Sequence, residues 1–150
     1  MPYTVFEFVP GHVLYLAAWG ELTLSELEAS NAEGEAVLNR SPHEIHYIAD
    51  LRRLSAISIA SIHINEGART ISGFAHPKHG WQFILSGNTL IRFAATAIAH
   101  NAMPTAEKTL RIAVTNDPDD VRARLIKLLP DGIAVPPMPD IETIILQGVR

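Results

Sequence analysis

The chain contains no cysteine. That absence excludes disulfides, thiolate nucleophiles, zinc ribbons and cysteine-ligated iron–sulfur clusters together. Positive charge is also scarce, with 12 lysines and arginines against 16 aspartates and glutamates and a formal net charge of −4. Binding a nucleic-acid backbone requires a clustered basic face. The basic clusters present are Arg52–Arg53 and the set Arg122, Arg124 and Lys127, so no nucleic-acid partner is expected. There is no long hydrophobic run. The longest nearly uncharged apolar stretch, Phe93 to Met103, is shorter than the roughly 20 residues a membrane helix needs, so no membrane span is expected. Met1-Pro2-Tyr3-Thr4 leads straight into a strand pattern, without the basic and apolar regions of a secretory signal, and a cytoplasmic location is the expectation. No Gly-x-Ser-x-Gly elbow, Gly-x-Gly-x-x-Gly turn or phosphate-binding Gly-x-x-x-x-Gly-Lys-Ser/Thr loop occurs, which removes those routes to hydrolysis and nucleotide binding. Internal repeats and low-complexity tracts are absent too.

What is present reads as one α/β domain. At 150 residues, 47% apolar and 19% charged, the chain has the size and composition of a single globular unit. Thr4 to Phe8 and Val13 to Trp19 are β-branched and aromatic, and Pro10-Gly11-His12 between them is a turn signal, so the two segments predict an antiparallel hairpin. Thr23-Leu24-Ser25-Glu26 is a capping box opening a helix to about Arg40, where Ser41-Pro42 stops it. Ile45 to Leu51 is a third strand, with Ile45, Tyr47 and Ala49 on one face and His46, Ile48 and Asp50 on the other. A stretch rich in small and β-branched residues follows, with a short helix expected to about Ile71. Gly80 to Gly87 is a fourth strand. Asn88 is an N-cap for a nearly all-apolar helix, Thr89 to Met103. Leu110 to Val114 is a fifth strand, and Asp117-Pro118-Asp119-Asp120 opens the clearest helix, with Val121, Leu125, Leu128 and Leu129 along one side. Strands alternating with helices predict a mainly parallel five-stranded sheet, opened by an N-terminal antiparallel hairpin and accompanied by about four helices.

After Pro130 the character changes. Pro136, Pro137 and Pro139 precede an apolar patch from Ile141 to Leu146. The division expected is an α/β domain over 1–129 and a proline-rich arm over 130–150. The arm is expected to dock over the outer face of the Leu90 helix or on a second subunit.

The hairpin closing in Trp19-Gly20-Glu21-Leu22-Thr23, then a helix, then Tyr47-Ile48-Ala49-Asp50-Leu51-Arg52, resembles the opening of the STAS superfamily of SpoIIAA-like, anti-sigma-factor-antagonist-like domains. His76-Pro77…Gly80-Trp81 and the run Asn88 to Phe93 are similar to segments of short bacterial STAS-like proteins of unassigned function. The resemblance covers about residues 3–129 and implies a compact module that binds another protein, in some members a nucleotide or lipid. It also implies a phosphorylated serine after the third strand. The usual Asp-Ser-Ser/Ala-Gly signature is missing, leaving Ser55 and Ser58 as the candidates, with no glycine following.

Other chemistry is sparse. His76 and His79 have a spacing that can serve a metal from one helix face, yet Pro77 argues for a loop. Asp50, His63 and His100 are the ligands that would have to join them. Asn88 and Arg92 form a candidate anion or ligand site, Arg92 being one turn into a helix whose free N–H groups favour anions; pairing of Arg92 with Asp50 is the plainer expectation. Leu90, Phe93, Ala97 and Ile98, together with Ile59 and Ile62, form a candidate interface, since a helix apolar all round is covered on more than one side. The reading is a non-catalytic regulatory protein–protein interaction module, homodimeric, with no catalytic residue, metal or cofactor. The alternative is a carrier of a small apolar ligand, such as a fatty acyl chain, held between the 57–74 segment and the 89–103 helix with Arg92 on its carboxylate. A metal enzyme using His76, His79 and Asp50 is a third reading.

Overall fold

Alternation and turn chemistry organise the N-terminus. In the computed structural model, which describes residues 2–55, 58, 77–92 and 111–148, β1 (Tyr3–Val9) pairs antiparallel with β2 (Val13–Gly20), Tyr3 lying opposite Ala18 and Val9 opposite Val13. Gly11 takes φ 78° at the turn, a conformation favourable for glycine, and its N–H donates to Glu7 Oε1 at 3.1 Å.

Helix α1 (Leu24–Arg40) opens on the expected capping box. Thr23 Oγ1 accepts the Glu26 N–H at 3.2 Å, and Glu26 Oε1 accepts the Thr23 N–H at 3.0 Å. The Thr23 N–H, and with it the Thr23 hydroxyl, which donates to the same Oε1 at 2.8 Å, hold the Glu26 carboxyl below its ordinary pKa. The helix ends where Ser41 turns extended ahead of Pro42.

β3 (Ile45–Leu54), β4 (His79–Leu85) and β5 (Ile112–Thr115) follow, each parallel to its neighbour, in the spatial order β1-β2-β3-β4-β5. Helix α2 (Pro118–Leu128) is capped by Asp117, whose Oδ1 accepts the Asp119 N–H at 2.9 Å. Helix α3 (Ile141–Gly148) ends the described chain. The fold is α/β, a mainly parallel five-stranded sheet opened by an antiparallel hairpin, as the sequence pattern predicts.

Each strand sends alternate residues to opposite faces. One face buries Tyr15, Ala17, Ile48, Phe83 and Leu85 against Val121, Leu125 and Leu129, with Val135, Ile141 and Ile144 completing the cluster. The other packs Leu14 and Ile45 against Leu38 of α1, and Ala18, Ala49 and Ile84 against Leu22, Leu54 and Ile91.

Three expectations are corrected. β3 runs three residues further than Leu51, to Leu54, because Trp19 and Gly20 of β2 extend far enough to pair with Arg53 and Leu54. Leu128 is exposed rather than buried, since α2 stops there and Leu129, in extended cap geometry, turns inward in its place. Among the described residues, the arm does not lie on the start of the helix at Thr89. Ile141 and Ile144 join the α2 side of the sheet, whereas Ile91 lies on the α1 side. The arm is directed there by Arg122, whose Nη2 donates to Val135 O at 2.8 Å and whose Nε donates to Pro136 O at 3.0 Å. Glu142 then meets Arg53 at 2.6 Å, and Gly148 sits against the Trp19 ring.

Candidate binding edge at the ends of β3 and β4

Loops gather at the carboxyl ends of parallel strands, and there open α/β sheets place their working surfaces. At the end of β3, Asp50 is fully buried on the α2 side. Its Oδ2 accepts the Tyr15 hydroxyl at 2.7 Å and Arg52 Nη2 at 2.7 Å, while Oδ1 accepts Arg52 Nε at 2.9 Å. Such a fork is the strong form of a carboxylate–guanidinium pair. Burial, then the neighbouring Asp50 charge, pushes the Tyr15 hydroxyl well above its ordinary pKa, and the Asp50 hydrogen bond raises that of Arg52.

This geometry overturns two expectations about Asp50. Its partners are Arg52 and Tyr15, not Arg92, because Arg52 lies two residues on along the same face of β3. Nor do Asp50 and His79 converge. His79 aligns with Ile45 and Asp50 with Leu85, so they stand at opposite ends of the β3–β4 ladder, on the order of 15 Å apart at the usual strand rise. His79 is buried and its ring stacks on Tyr47 at 4.8 Å. Among the described residues no group of three or more metal-ligating side chains converges. His63, His76 and His100 lie outside the described residues.

Just past β3, Ser55 and Ser58 form one hydrogen-bonded turn. Ser55 Oγ accepts the Ser58 N–H at 3.2 Å and donates to Ser58 Oγ at 3.1 Å, and Ser58 Oγ accepts the Leu22 N–H at 2.8 Å. Ser58 is buried and ties the turn to the segment that leaves β2; Ser55 is only half-buried. Of the two, Ser55 is the more exposed.

At the end of β4, Ser86 Oγ accepts the Asn88 N–H at 3.1 Å and Asn88 Oδ1 accepts the Leu90 N–H at 2.8 Å, so Asn88 caps the helix that begins at Thr89. Ile91 turns inward to the cluster containing Leu22 and Leu54, which sets this helix start beside the Ser55–Ser58 turn. Leu90 turns outward and is 38% exposed; Arg92 is exposed as well. Phe93, Ala97, Ile98, Ile59 and Ile62 lie outside the described residues, as do all of 93–103 and all of 57–74 except Ser58.

Sequence reasoning missed Tyr15 and Arg52 as the partners of Asp50. The signal was the alternation that places Asp50 on the same face as Ile48, an inward register in which a carboxylate must find partners.

No protein-family model and no curated protein matches the chain. Among solved structures it is similar to an uncharacterized protein from the DUF3478 family with a SpoIIAA-like fold, from Shewanella loihica PV-4, at 16% identity and a TM-score of 0.52 over 82% of this chain and 91% of that one. At that identity the likeness is one of architecture, and the order of strands and helices agrees with it: this chain has a SpoIIAA-like fold.

Proposed function

We propose that the chain is a non-catalytic, STAS-type regulatory module in the cytoplasm, homodimeric, that acts by binding another protein. Its working surface is the edge made by the Ser55–Ser58 turn and the helix capped by Asn88. The observation that carries this reading is Leu90, a large apolar side chain left exposed at the helix start while its neighbour Ile91 anchors that helix to Leu22 and Leu54. A firmly anchored helix end presenting an apolar residue beside a polar turn has the make-up of an interface core with its rim.

Ser55 is the position at which a phosphate changes partner affinity. A phosphate there adds nearly two negative charges at the edge of the interface. Asp50, closed by Tyr15 and Arg52, serves the framework and not the chemistry of the edge.

Native mass spectrometry of untagged protein from its own host tests the reading. Dimer mass without adduct is the expected result. A stoichiometric small molecule or metal on the native protein overturns it in favour of the carrier or the metal enzyme.

A further inference from the structure

The β3–β4 ladder is irregular at its amino end. Ile45 pairs with His79 and Tyr47 with Gln82, so His46 alone stands opposite both Gly80 and Trp81. Such a bulge leaves one strand with an extra residue whose backbone groups fall out of the ladder. Here the stranded group is the Trp81 N–H, and a side chain takes it: the N–H donates to His46 Nδ1 at 3.0 Å. The ring fits because residue 80 is glycine. A Cβ there would lie 2.5 Å from His46 Nδ1.

A ring nitrogen that accepts a backbone N–H must carry a lone pair, so this bond exists only while Nδ1 is unprotonated. We propose that His46 is a pH-sensitive latch: neutral, it closes the bulge by accepting the Trp81 N–H, and protonated, it releases the Gly80–Trp81 peptide and loosens the start of β4 from β3.

The groups around the ring bias the latch towards closure. Arg111, at the entry to β5, and His12, in the hairpin turn, both disfavour added positive charge on His46. Glu44, two residues before it, opposes them, but its Oε2 is engaged by Arg111 Nη2 at 2.8 Å. His43 stacks on His12 at 4.7 Å, His79 stacks instead on Tyr47, and the Lys78 ammonium is bound to the Ser41 carbonyl. Burial is the largest influence lowering the pKa of His46. The sign follows from linkage. A depressed folded-state pKa means that the open form binds the proton more readily, so closure is complete above the free histidine value, about 6.5, and weakens as pH falls below it.

Amide hydrogen exchange and histidine NMR on the full chain between pH 7.5 and 5 test the latch. Below about pH 6.5 the protection factor of the Trp81 amide is expected to fall roughly tenfold per pH unit, the signature of one proton taken up on opening, until the folded-state pKa is reached. His46→Asn, which retains an acceptor on the same carbon as Nδ1 but does not titrate, is expected to keep the protection and lose its pH dependence. A Trp81 protection factor independent of pH in the wild-type chain while His46 titrates overturns the proposal. So does an unchanged pH dependence in His46→Asn.

Discussion

A Cβ added to Gly34 would overlap the hydroxyl of Tyr47. The Tyr47 side chain of β3 therefore packs on bare backbone of helix α1 at that point, and the glycine in mid-helix is a packing requirement. Burial, the leading cause, raises the Tyr47 hydroxyl above its ordinary pKa, in keeping with a ring clamped between α1 and His79. Gly34→Ala gains about 1 kcal/mol of helix propensity but incurs an overpacking cost of roughly 1–3 kcal/mol. The expected outcome is net destabilisation by thermal melting, partly relieved when Tyr47→Phe is added. Simple stabilisation by Gly34→Ala contradicts the packing described.

Asp50 depends on Arg52. Removing one partner of a buried pair leaves an uncompensated charge, at a cost near 3–5 kcal/mol. Because the Arg52 side chain is 21% exposed, water can reach part of the site and the lower end applies. Arg52→Ala is expected to lower the free energy of urea unfolding by about 3 kcal/mol, and Tyr15→Phe by about 1.5–3 kcal/mol through one lost bond to a charged group. An Arg52→Ala loss below about 0.5 kcal/mol, typical of surface pairs, contradicts this account of the β3 end.

The two serines after β3 separate by burial. Ser58→Ala strands the Leu22 N–H and is expected to cost about 1–3 kcal/mol. Ser55→Ala removes a turn cap at about 1 kcal/mol. Asp substitutions sharpen the contrast: Ser58→Asp lowers the melting temperature far more than Ser55→Asp. Equal effects mean that the turn is not tied to Leu22 through Ser58.

Helix α3 contributes Ile141 and Ile144 to the sheet face and covers Trp19. Deleting residues 141–150 is expected to cost about 3 kcal/mol, from roughly 1.5 kcal/mol or more per buried isoleucine. Trp19 fluorescence shifts to the red as its ring meets water. Glu142→Ala alone costs less than about 1 kcal/mol, since Glu142 and Arg53 are both more than half exposed. An unaltered Trp19 emission in the truncated chain contradicts the docked position of α3.

The elements that the sequence reveals are those written locally. Thr23 with Glu26, and Asp117 with Pro118, are complete signals within one turn of helix, and the structure uses both as read. Strand alternation likewise put His46 and Asp50 on the face of Ile48. What that alternation does not contain is the partner across the sheet. That Tyr15 reaches Asp50, and that His79 stands at the far end of the ladder from it, depends on register; Arg52, two residues on in the same strand, pairs locally. The arm's apolar patch is visible in the sequence, but Trp19, against which its end packs, lies far off in the chain. At the candidate edge, the Asn88 cap is written locally, and the structure uses it as read.

Sedimentation equilibrium of the full chain and of Leu90→Asp tests the interaction-module reading most directly. The account predicts a dimer at micromolar concentration that Leu90→Asp converts to monomer, with the melting temperature changed by no more than a degree or two, because Leu90 is exposed and contributes little to the core. A strictly monomeric wild-type chain, or a dimer that Leu90→Asp leaves intact, contradicts it.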